Sequence, residues 1–87
     1  MSHHNPAEIE FPVDWTYRII CENNLTIEAE LKQAMDRIGE HHLHKGNLSK
    51  TGKYITFKVI KKDIRNLVEL RTIPNELKCI SGVKQIL

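Results

Sequence analysis

The stretch Leu48–Ile60 constrains the fold of this 87-residue chain more than any other. Ser49 through Lys53 are turn formers around Gly52. From Tyr54 the side chains alternate, with Ile55, Phe57 and Val59 on one side and Tyr54, Thr56 and Lys58 on the other. A period of two belongs to a half-buried strand, here entered from a hairpin turn. Its apolar row needs a cover. The chain is 40% hydrophobic and 28% charged, and at this length only about 60–65% of the unfolded surface is buried on folding. One core and one domain follow.

Residues 1–10 are polar, hold Pro6 and lack periodicity, which predicts a flexible tail ahead of a single domain over residues 11–87. Pro12 holds Phe11 extended, so that Phe11 can plug the core. Trp15–Cys21 joins aromatic and β-branched residues in a run of strand length. Trp15, Tyr17, Ile19 and Cys21 are expected inward, and Thr16, Arg18 and Ile20 outward. Glu22-Asn23-Asn24 breaks that strand. Leu25–Ile38 then carries Ile27, Leu31, Ala34, Met35 and Ile38 as one helical stripe, with Asn24 or Thr26 as cap and Gly39 as stop. Glu40–Leu48 contains an edge strand that leads into the hairpin.

Lys61-Lys62-Asp63 reads as a polar connection, after which Leu67, Leu70, Ile73, Leu77 and Ile80 recur at helical spacing. Pro74 either kinks this second helix or starts its main part. Ser81-Gly82 ends it, and Val83–Leu87 forms a short last strand. The order strand, helix, strand, strand, helix, strand predicts an α+β fold, a ferredoxin-like βαββαβ sandwich with two helices on one face of a four-stranded antiparallel sheet. With right-handed crossovers, the end of strand one, the start of helix one, the hairpin tip and the end of helix two meet at one pole. Cys21 and Cys79 belong to that pole, read as small apolar residues closing the core.

The chain resembles the YbeD-like family of small bacterial proteins of unknown function. The resemblance lies in Phe11-Pro12 ahead of a strand with Tyr17-Arg18-Ile19, in the hairpin Ser49-Lys50-Thr51-Gly52-Lys53-Tyr54, and in the close with Leu77, Val83 and Leu87. It covers nearly the whole chain apart from the tail. It implies a ferredoxin-like fold similar to the small-molecule-binding regulatory ACT domains, a cytoplasmic location and no established activity. Cys21 stands where the family often has a glycine after strand one.

Two cysteines are too few for a disulfide framework and lack metal-site spacing, which fits a reducing cytoplasm. No signal peptide opens the sequence, and no apolar run approaches the roughly 20 residues that span a bilayer. The net charge of +2 is uneven, since residues 45–65 carry seven bases against Asp63 alone. Such a block is either a solvated lysine edge that discourages aggregation or a surface for an anionic partner. For function, Glu22, Asn23 and Asn24 beside the amino end of helix one form a candidate ligand loop for an amino-acid-like molecule. His42 and His44 share a strand face, but the surroundings offer too few further ligands for a metal, and no cofactor is expected. Weak single-stranded nucleic-acid binding through the basic hairpin is a further alternative, but base stacking would need two outward aromatics, and only Tyr54 is outward unless Tyr17 is too. No cysteine or serine has a histidine base placed beside it, so no enzyme is expected. The expected role is a regulatory or adaptor domain that meets a protein partner, or weakly a second copy, through the open sheet face. Arg18, Ile20, Lys53, Tyr54, Thr56 and Lys58 would form that surface, with Ile20, Thr56 and Ile86 as its apolar part.

Overall fold

A computed structural model describes residues 9–87. The elements are β1 (Val13–Glu22), α1 (Ile27–Ile38), β2 (His41–Leu48), β3 (Tyr54–Ile64), α2 (Leu67–Leu77) and β4 (Val83–Ile86). The strands lie in the order β2-β3-β1-β4, all antiparallel, which is the predicted ferredoxin-like sandwich. Among the described residues, no helix is long and apolar enough to cross a membrane.

The alternation in β3 sets the layers. Ile55, Phe57 and Val59 are 2% exposed or less and share one core with Tyr17, Ile19 and Cys21 of β1, Ile27, Leu31, Ala34 and Met35 of α1, and Leu70, Ile73 and Leu77 of α2. Full burial of each large side chain contributes about 1.5–3 kcal/mol. Ile9, expected in the tail, packs against this core beside Phe11. The rest of the expected tail, residues 1–8, lies outside the described residues.

Two bulges change the expected register. Lys61–Asp63, expected as a connection, continues β3, and a register shift between Val13 and Trp15 absorbs an extra residue where Asp63 takes φ 56°. Asp14 holds this bulge: its Oδ1 accepts the Asp63 N–H at 3.0 Å. Across the bulge both Lys61 and Ile64 turn inward. Lys61 is 5% exposed, with its ammonium donating to the Lys62 carbonyl and lying 3.8 Å from Glu69. A second shift, between Ile20 and Cys21 against β4, places Val83 opposite Cys21 and Ile86 opposite Ile19. Ile86 therefore faces the core and not the open side, because the bulge at Lys84 breaks the period of two. Trp15 keeps the inward register of Tyr17, yet is 36% exposed because β4 and Leu87 accompany β1 only from Arg18 onward.

Helix α2 is one helix from Leu67 to Leu77 with Pro74 inside it. Asn66 caps it, accepting the Glu69 N–H on its side chain at 2.9 Å. Pro74 has no N–H for the Leu70 carbonyl. The Tyr17 hydroxyl donates to that carbonyl instead, at 2.6 Å.

Candidate functional site

Outside the core, the sheet presents a second face that neither helix covers. By register it is a grid. His44, Lys58 and Arg18 lie directly opposite one another on β2, β3 and β1. Next to this row stand His42, Ile60 and Thr16 on one side and Thr56, Ile20 and Gln85 on the other. Leu87 pairs with Arg18 through reciprocal backbone bonds of 3.1 and 2.8 Å, which puts its side chain on the same face.

Charge on this face is paired at the ends and unpaired in the middle. At one end the Lys62 ammonium lies 3.0 Å from Asp14, whose carboxyl is held below its usual range by the Asp63 N–H and then by Lys62. At the other end the Lys84 ammonium lies 2.9 Å from Glu22, and that hydrogen bond raises the pKa of Lys84. Arg18, Lys58, His44 and the adjoining Lys45 make no ion pair among the described residues. Like charges directly opposite across strands destabilise a sheet, on the order of 0.2–1 kcal/mol per pair. A shallow depression of about 360 Å³ opens at this row, lined by Arg18, His44, Lys45, Gly46, Thr56 and Lys58. Gly46 lets β2 approach β3 closely at this point, because a Cβ there would stand 2.5 Å from the Thr56 carbonyl oxygen.

Of the six residues expected to form the interaction surface, Arg18, Ile20, Tyr54, Thr56 and Lys58 lie on this face. Lys53 sits at the hairpin tip instead, where its carbonyl accepts the Asn23 N–H at 2.9 Å. Tyr54 is 40% exposed and stands opposite Glu22. Tyr17 is turned into the core, so the second outward aromatic that base stacking would use is not on this face. His42 and His44 do share the face, with ring centroids 6.5 Å apart. Sequence reasoning put these two residues on a common face but did not join them to Arg18 and Lys58. The strand register makes that link.

The candidate ligand loop is engaged in folding. The Asn23 side-chain amide donates to the Gly52 carbonyl at 2.9 Å and ties the loop to the hairpin tip. Asn24 Oδ1 accepts the Thr26 N–H at 2.9 Å and its hydroxyl at 3.1 Å. Neither Asn24 nor Thr26 caps the first free N–H groups of α1 with its side chain. Glu22, Asn23 and Asn24 do line an open depression of about 440 Å³ with the hairpin tip. The Glu22 N–H donates to the Gly82 carbonyl at 2.8 Å, so the predicted pole is assembled; Cys21 is buried there, whereas Cys79, expected to close the core with it, is exposed.

The structure superposes on a solution structure of protein HP0495 from Helicobacter pylori with a TM-score of 0.71, at 25% identity over 99% of this chain and 98% of that one. A second solution structure of HP0495 gives a TM-score of 0.66 at 26% identity, with the same coverage. The ACT domain of GTP pyrophosphokinase from Chlorobium tepidum gives 0.64 at 15% identity over 85% of this chain and 94% of that one, a likeness of fold. No curated protein matches the sequence. The model of a family described as protein of unknown function, DUF493, matches residues 6–87. The match spans nearly the whole chain, and the chain belongs to this DUF493 family of unknown function.

Proposed function

We propose that this chain is a regulatory or adaptor domain of the bacterial cytoplasm that acts by holding a protein partner on the open face of its sheet, without catalysis. The observation that carries this reading is the middle row of that face, where Arg18, Lys58 and His44 stand in line without ion pairs among the described residues while both ends of the face are neutralised. Ile20, Ile60 and Leu87 surround the row with apolar area that a partner can cover. The likeness to an ACT domain supports a regulatory role. Ligand sensing at Glu22, Asn23 and Asn24 is the weaker reading, because Asn23 and Asn24 already spend their side-chain groups on the hairpin tip and on Thr26.

Photo-crosslinking in the cells of origin tests the reading. Benzoylphenylalanine in place of Thr56 should trap a defined protein, and the same group in place of Gln33, exposed on the helix layer, should not. Trapping from Gln33 alone, or none from Thr56, would remove the open face as the working surface.

A further inference from the structure

We propose that the open face recognises an acidic segment of its protein partner, with Arg18, Lys58 and His44 receiving the carboxylates. The inference rests on the partner-binding reading above and names the chemistry of the partner. Charge complementarity is the first argument. Basic residues elsewhere on this face have their acids, Lys62 with Asp14 and Lys84 with Glu22, whereas the central row has none among the described residues. The row is thus a fixed concentration of positive charge bounded by neutral pairs, and it attracts an anion most strongly at its middle.

Geometry narrows the occupant. Strands lie about 4.8 Å apart, so the row spans roughly 10 Å from Arg18 to His44. An extended peptide places alternate side chains about 7 Å apart on one face, so two acidic residues flanking one other match the row within the reach of these long side chains. Ile60 on one flank and Ile20 with Thr56 on the other would take the apolar residues of such a segment.

The same grid disfavours other occupants. A second copy docked by a two-fold axis at this face would bring the cations onto themselves. Single-stranded nucleic acid needs stacking platforms. Tyr17 is buried, which leaves Tyr54, four residues along β3 from Lys58, as a single outward platform on this face.

The test uses the full chain labelled with nitrogen-15 and three probes: acetylated octaglutamate, an oligothymidylate of the same length, and inorganic pyrophosphate. Octaglutamate should move the amides of Arg18, His44, Thr56 and Lys58, and its affinity should fall by about tenfold or more from roughly 50 to 300 mM salt. Lys58→Glu, and Lys58→Met as a milder variant should the reversal disturb folding, should weaken binding by about tenfold and a few-fold respectively. Lys32→Glu on the helix layer and Lys50→Glu at the hairpin turn should leave it within about twofold, because Lys32 belongs to the opposite layer and Lys50 lies beyond Tyr54, which is itself about 13 Å along β3 from Lys58. Equal losses from Lys50→Glu and Lys58→Glu would mean diffuse attraction and overturn the proposal. So would tighter binding of oligothymidylate, saturation of the same amides by pyrophosphate alone, or a dimer at this face. Crosslinks from Thr56 with no response to octaglutamate would sink the acidic partner and leave the open-face reading standing; loss of both would sink the two together.

Discussion

At the scale of single residues, the informative contact is between Tyr17 and the Leu70 carbonyl. Pro74 leaves that carbonyl without its helical donor, and the Tyr17 hydroxyl takes the place at 2.6 Å. Burial, reinforced by Glu69, pushes the Tyr17 hydroxyl up to about 12. Tyr17→Phe should cost about 1–2 kcal/mol, since a buried acceptor is left unpaired. In a Pro74→Ala background the residue-74 N–H restores the helical bond and the cost of Tyr17→Phe should shrink. A double-mutant cycle by urea unfolding checks this, and equal costs in both backgrounds would refute the coupling. The cysteines form a second residue-scale contrast. Cys21 is fully buried and its thiol is pushed up to about 11 by that burial, while Cys79 is exposed. Native protein should therefore release one fast equivalent with a thiol reagent, from Cys79, and a second only on unfolding. Cys21 also carries a pH dependence. Its folded pKa is raised above the ordinary value of 9.0, so its contribution is complete below about pH 9 and is lost as the pH climbs through 11. Urea midpoints should fall across that window, and less so in Cys21→Ala.

At the scale of elements, bulges decide which side chains reach the open face. The β2–β3 register shifts between Lys45 and Leu48, and Gly46 fits there because its α-carbon lies against the Thr56 backbone. Gly46→Ala puts a methyl group 2.5 Å from a backbone oxygen that cannot move without opening the strand pair. The expected loss is about 1–3 kcal/mol, with faster amide exchange along β2. Gly82→Ala is the comparison. Its Cβ meets the terminal methyl of Ile27 at 2.8 Å, a side-chain end that can swing away, so the thermal midpoint should drop less. If the two variants melt alike, the β2 bulge is not held by close approach.

At the scale of the molecule, the two layers differ in charge. Helix α1 carries Glu28, Glu30 and Asp36 against Lys32 and Arg37, and α2 carries Glu69 and Glu76 against Arg71, whereas the open face is basic at its centre. Arg18 and Lys58, like charges directly opposite one another, store repulsion that salt relieves. Lys58→Gln should therefore stabilise the free protein by about 0.2–1 kcal/mol at low ionic strength, and the gain should vanish in high salt. Lys84→Gln, which removes a hydrogen-bonded partner of Glu22, should not stabilise at all. Melting curves at two salt concentrations separate the cases. A Lys58→Gln variant less stable than the parent at low salt would show that the row is compensated by contacts of its own.

Local pattern by itself determined the layers and their order. The alternation of Tyr54–Val59 and the stripe from Ile27 to Ile38 specify which side of each element is apolar, and period two alone puts Arg18, Thr56 and Lys58 on the opposite side. What depends on two segments meeting was settled only in the tertiary structure. Lys61 reads as polar punctuation, yet it is a buried strand residue because Glu69 of α2 comes to its ammonium. Ile86 reads as outward, yet the bulge at Lys84 turns it to the core. Pro74 reads as a kink or as the start of the main helix, whereas one helix runs through it and a tyrosine from β1 satisfies the orphaned carbonyl. The basic row has the same origin: its members come from three strands, and their lack of acids among the described residues follows from register, which sets who stands opposite whom.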